Sequence, residues 1–135
     1  MTAKCFADTN IILYTIGQDS HKAGIARGIL VTRPLVSAQV INESISVCLR
    51  KLGFDREKAY AFADNVMRRT DVLPVDEATI RKSAELAIRY QLSSWDALIA
   101  AAALLAGCDS RYSEDMQNGQ VFEGQLTVVN PFDSN

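Results

Sequence analysis

The stretch Ser93-Ser94-Trp95-Asp96-Ala97-Leu98-Ile99-Ala100 opens an apolar run that continues unbroken to Ala106. Two serines ahead of strong helix formers mark an N-cap, and Ser93 with Asp96 three positions later resembles a capping box with Asp in place of Glu. Because every residue from Ala97 to Ala106 is apolar, the helix has no solvent stripe and is predicted to be buried and central. It is too short to span a bilayer. Asp96 falls in its first turn, where a carboxylate ordinarily serves free amide donors and the positive end of the helix dipole.

Upstream of this helix, Asp76 is placed to cap a helix carrying Ile80, Ala84, Ala87, Ile88 and Tyr90. Before it, Asp71-Val72-Leu73-Pro74-Val75 reads as a strand, with Pro74 pointing to an edge position or a strand end. Asp55 caps an amphipathic helix that ends at Arg68-Arg69, and Ser37 caps one running from Ala38 to about Lys51. Ser20 can cap a helix from His21 to about Leu30. Cys5-Phe6-Ala7 and Pro34-Leu35-Val36 are short buried-strand candidates, and Thr9 or Asn10 can cap a helix over Ile11 to Ile16. Downstream, Gly107 stops the central helix, Cys108 to Ser113 reads as a strand, Met116 to Gly119 as a turn, and Leu126 to Val129 as the last strand. Strands alternating with helices predict an α/β fold with a mostly parallel sheet, and 135 residues at 48% hydrophobic content suit one domain over 1–135.

Net charge of -2 argues against a protein whose main task is to hold nucleic acid electrostatically, although a cluster of carboxylates makes a chain acidic by itself. Cys5, Cys48 and Cys108 are odd in number, far apart and without a C-x-x-C pair, as expected of buried thiols in a reducing cytoplasm. No export or membrane segment is visible. His21, the sole histidine, has no partner at ligand spacing. No nucleophile elbow, P-loop or dinucleotide glycine fingerprint occurs.

Four acids sit at junctions where they could converge. Asp8 and Asp115 fall just past strand ends, the edge at which ligands collect in open α/β sheets. Asp96 begins the central helix, and Glu43 lies on the polar stripe Gln39, Asn42, Glu43, Ser46, Arg50 of its own helix. Taken singly, each has a plain reading as a cap, a turn residue or a solvated helix-face acid. Taken together in one pocket, four carboxylates would repel one another unless cations lay between them, and oxygen-only ligation selects Mg²⁺ or Mn²⁺. Such an ion can activate water against a phosphodiester, expelling the 3′-oxygen and leaving a 5′-phosphate.

Phe6-Ala7-Asp8-Thr9-Asn10, Val40-Ile41-Asn42-Glu43, Ser94-Trp95-Asp96-Ala97-Leu98-Ile99-Ala100-Ala101-Ala102, Gly107-Cys108-Asp109, Tyr112-Ser113-Glu114-Asp115-Met116 and Asn130-Pro131-Phe132 together resemble PIN-domain ribonucleases. The likeness is greatest to the VapC-type toxins of prokaryotic toxin-antitoxin pairs, and it covers nearly the whole chain. The resemblance implies a three-layer α/β/α sandwich, Mg²⁺- or Mn²⁺-dependent endoribonuclease activity, and metal ligation through Asp8, Glu43, Asp96 and Asp115. It further implies that Thr9 and Ser113 orient water or phosphate, that the protein is a homodimer, and that a cognate antitoxin places its tail in the acidic pocket.

One residue departs from the family pattern. Arg111 stands where such proteins usually carry an apolar side chain, and is expected to snorkel from a sheet edge or to reach towards RNA. Glu114 reads as a surface acid beside Asp115, and Asp109 as a structural cap. Two other readings compete: a catalytically silent PIN-like module that holds RNA or protein, and a phosphatase or receiver-type domain. The second generally needs a lysine near a nucleophilic Asp, and none follows Lys82. On the nuclease reading, Asp8→Asn or Asp96→Asn is expected to keep the fold and abolish cleavage.

Overall fold

Short polar caps set the helix boundaries. The computed structural model describes residues 4–133. In chain order it contains β1 (Cys5–Ala7), α1 (Thr9–Tyr14), α2 (Ser20–Val31), β2 (Leu35–Ser37), α3 (Ala38–Arg50), α4 (Arg56–Arg69), β3 (Asp71–Leu73), α5 (Glu77–Tyr90), α6 (Ser94–Leu105), β4 (Ser110–Tyr112), β5 (Val121–Phe122) and β6 (Leu126–Val129). Ser37, Asp55, Asp76 and Ser93 accept hydrogen bonds from Val40, Lys58, Thr79 and Asp96 backbone N–H groups, so the four expected caps form. The Asp76 cap is reciprocated by the Thr79 hydroxyl, which accepts from the Asp76 N–H.

Two starts differ from expectation. Asp19, not Ser20, caps α2 by accepting from the His21 and Lys22 N–H groups. Asp8, not Thr9 or Asn10, is the N-cap residue of α1, and it makes no side-chain capping bond.

The strands form one sheet in the order β3-β2-β1-β4-β6-β5, parallel throughout except for β5, which runs antiparallel to β6. The expected mostly parallel sheet is therefore present, with β3 at one edge as Pro74 suggested. The short β5 has no counterpart among the sequence-predicted strands. Helix α6 lies against β2 and β6 and packs along α5, while α1, α2, α3 and α4 form a contiguous second set that meets the sheet through α3 and α4, completing a three-layer α/β/α arrangement. As the apolar run implied, α6 is the most deeply set helix: Ala97, Ala100, Ala101 and Ala103 are fully buried, joined in the core by Phe6, Val36, Leu86, Phe122 and Val128. Gly107, at φ +78°, takes the left-handed conformation that lets the Cys108 N–H return to the Ala103 carbonyl at 2.9 Å and end the helix.

The register fixes what lies beside the central strands. Phe6 of β1 is level with Arg111 of β4, which is level with Val128 of β6. Arg111 is thus on an interior strand, with fully buried neighbours on both sides.

Candidate functional site

At the C-terminal edge of the parallel strands, Asp8, Glu43, Asp96 and Asp115 line one cleft of about 190 Å³, together with Thr9, Asn10, Lys51, Trp95 and Arg111. Asp8 arrives on the end of β1, Asp96 on the first turn of α6, Glu43 on α3, and Asp115 on the loop after β4. The Gln39 side-chain amide donates to the Trp95 carbonyl at 3.4 Å, tying α3 to the start of α6 across this edge. All four acids predicted from the sequence therefore meet around one space, although they do not share one environment. Asp8 is buried, Glu43 and Asp96 are half-buried, and Asp115 is exposed.

The floor of the cleft is organised by Arg111. Its Nε and Nη2 donate to the two carboxylate oxygens of Asp8 at 2.8 and 3.0 Å, a bidentate pair. Nη2 also donates to Asp96 Oδ1 at 3.2 Å, and Nη1 to the Asp96 carbonyl at 3.4 Å. The Arg111 side chain is 1% exposed. The sequence expectation of a side chain snorkelling from a sheet edge or reaching towards RNA is corrected on both counts: β4 is interior, and the guanidinium turns inward to the acids. Strand packing is undisturbed, and it is the acids that Arg111 engages. Asp8, the N-cap residue of α1, makes no side-chain capping bond and directs its carboxylate to Arg111.

Burial pushes the Asp8 carboxyl above its ordinary range, and the Arg111 charge and hydrogen bonds, with a smaller contribution from Ser113, oppose that rise. The hydroxyls of Thr9 and Ser113 are buried beside this carboxylate and neither makes a hydrogen bond of good geometry. In the outer part of the cleft, the Asn10 amide donates to Asp115. The Glu43 carboxylate has no hydrogen bond or ion pair among the described residues. Glu114, by contrast, points out of the site. It is bound by Lys22 and Tyr14, which hold its carboxyl below the usual range, and Lys22 also lies over the rings of Tyr14 and Phe132. Asp109 is structural, though as a tie between chain segments and not as the expected cap: its carboxylate accepts from the Lys4 N–H, and its backbone joins Lys4 and Thr127.

A divalent cation does not fit this inner arrangement. An ion on Asp8 would lie against the guanidinium that already binds both of its carboxylate oxygens, and the repulsion between the two cations opposes ligation there. Among the described residues, no three acid, histidine or cysteine side chains are disposed to hold an ion together.

The PIN-domain family profile matches residues 5–115, from the first strand to the fourth acid. The chain belongs to the PIN-domain family. Solved structures similar to this PIN domain include Mycobacterium tuberculosis VapC20, described as a sarcin-ricin loop cleaving toxin, at 20% identity and TM-score 0.68, covering 83% of this chain and 90% of that one. DNA-bound VapBC from Salmonella typhimurium is similar at 21% identity and TM-score 0.68, covering 94% and 98% of the two chains. FitAcB from Neisseria gonorrhoeae gives 18% identity and TM-score 0.71 over 95% and 98%. At these identities the likeness establishes the fold. No match to this chain was found among curated protein sequences. The VapC-like fold expected from the sequence motifs is thus present.

Proposed function

We propose that this PIN domain is an endoribonuclease and the toxin of a toxin-antitoxin pair. One observation carries the reading: acids at positions 8, 43, 96 and 115, remote in sequence, line a single cleft at the strand edge where the fold binds ligands. The relative described as a sarcin-ricin loop cleaving toxin supports RNA as the substrate class. Hydrolysis adds water oxygen to phosphorus and breaks the bond to the 3′-oxygen. Within the cleft, Lys51 is the cation outside the Asp8–Arg111 pair that can meet a phosphate, and Glu43, unengaged by any partner, is the carboxylate free to take the proton from water. Thr9, whose unpaired hydroxyl belongs to a residue lining the cleft, and Ser113, buried behind it near Asp8, orient water or phosphate. PIN nucleases generally use divalent ions. Because Arg111 occupies the Asp8 carboxylate, Mg²⁺ or Mn²⁺ is assigned no step here.

The partner reading follows from the same surface. An apolar groove of Leu13, Tyr14, Ile16, Val47, Leu52 and Phe54 shares Leu13 and Val47 with the acid cleft. An antitoxin segment seated in the groove would run on into the acids, in keeping with the VapBC and FitAB assemblies among the similar structures. Homodimer formation and a cytoplasmic setting belong to the same proposal. Exposed Ile80, Ile88 and Leu105 offer apolar surface for a second copy, and Cys5, Cys48 and Cys108 are free thiols. No helix among the described residues is long and apolar enough to cross a membrane.

A second reading, the silent RNA- or protein-binding module, is favoured by the bidentate hold of Arg111 on Asp8. Incubating the purified chain with structured RNA, with and without Mg²⁺, separates the two. The nuclease reading expects discrete fragments with 5′-phosphate ends, lost in Asp96→Asn and Glu43→Gln. Retention of RNA in a gel shift without any cutting supports the module instead, and cleavage indifferent to both substitutions removes the acid cleft from the reaction.

A further inference from the structure

Arg111 is the largest fully buried side chain of the described residues. Its strand lies between β1 and β6, its register neighbours Phe6 and Val128 are fully buried, and among the described residues its polar atoms are satisfied by Asp8 and Asp96 alone. A guanidinium remains charged at any pH a folded protein meets. Turning it away from Asp8 would leave a buried cation among apolar side chains without an acceptor, which is strongly unfavourable. Any ion approaching Asp8 must therefore contend with a competitor that is covalently attached, fully desolvated and held by bonds to both acids.

We infer that Arg111 is the resident cation of the Asp8–Asp96 pair, taking the place of a divalent ion there, so that the chain has no divalent-metal site on Asp8 until Arg111 is removed. The charge problem of converging acids is met from within the polypeptide. The arginine offsets one of the two charges of the inner pair, and half-buried Glu43 and exposed Asp115 remain as the outer acids of the cleft. The geometry of this ion pair carries the inference, whether or not RNA is cut. Its test therefore reads metal binding directly and stays separate from the outcome for nuclease activity.

The experiment is a Mn²⁺ titration of the full chain followed by electron paramagnetic resonance, in which loss of the free-ion signal reports binding. Wild type is compared with Arg111→Met and with Arg111→Met/Asp8→Asn. Methionine fills the buried stem without a charge. The expected result is a Mn²⁺ site in Arg111→Met tighter than any in wild type by on the order of tenfold or more, because the substitution removes a positive charge from beside the bound dication. That gain is expected to vanish in the double variant. Equal affinity in wild type and Arg111→Met, lost in the double variant, overturns the inference.

A measurement on the wild type alone covers the case in which the methionine variant does not fold. In a ¹⁵N-labelled sample, the Arg111 Nε–H resonance is expected to stay in place through a Mg²⁺ titration. A saturable shift of that resonance means that magnesium displaces the guanidinium, and the inference fails.

Discussion

Asp8 and Arg111 settle the chemistry of the cleft between them. With Arg111 1% exposed and Asp8 nearly as buried, the pair is desolvated on both sides, the condition under which losing one partner is far more damaging than the pair is stabilising. Asp8→Asn leaves the guanidinium without its anion and is expected to cost about 3 kcal/mol in urea unfolding. Adding Arg111→Met to that variant should recover most of the loss. A cost near the ~1 kcal/mol of an exposed pair would mean that the two side chains are not coupled as drawn. The sequence-level expectation that Asp8→Asn spares the fold is thereby revised, whereas Asp96, half-exposed and tied to Arg111 by one side-chain bond, remains suitable for testing activity. The convergence of the four acids was legible in the motif order. The fate of Arg111 was not, because it depends on β4 lying inside the sheet, and strand order is a long-range property that no local pattern encodes.

At the level of elements, the caps were the most readable feature, since Ser37, Asp55, Asp76 and Ser93 each act through a backbone N–H within three residues. Local chemistry sufficed there. The strand β5 escaped notice because Val121 and Phe122 are too few to show a period. Pairing with β6 holds them, reinforced by bonds from the Gly119 N–H to the Val128 carbonyl and from the Val128 N–H to the Gln120 carbonyl, both 2.8 Å. The apolar character of α6 correctly placed it in the interior, and its alanines allow close approach of α5 and the sheet. Ala101→Leu inserts three carbons where no space is available and is expected to lower stability by about 1–3 kcal/mol in thermal or chemical unfolding. A variant as stable as the parent would show that the interface can relax around the added volume.

Across the whole molecule, Lys22 of α2, Tyr14 of α1 and Glu114 after β4 bind one another, with Phe132 of the C-terminal segment edge-on to Tyr14 at 5.1 Å between ring centres. This joins the first and last parts of the chain beside the loop that carries Asp115. Lys22 and Tyr14 hold the Glu114 carboxyl below 4.5, so between 4.5 and its native value the unfolded chain binds more protons than the folded one. The contribution is present above pH 4.5 and is lost as pH falls through the native value. Stability measured against pH should decline less steeply on that acid limb in Lys22→Met than in wild type, and superimposable limbs would remove Glu114 from the account.

The alanine wall of α6 also bears on how such a protein could change its target. Asp96 rides on a rod whose every inward position is filled to contact, so the helix can neither rotate nor slide without dislodging neighbours on two sides. Substitutions that alter recognition without unpacking the core are thereby confined to positions away from its centre. New preferences would have to arise at the rim, through Lys51 and Trp95, where side chains can be exchanged without redrawing the scaffold.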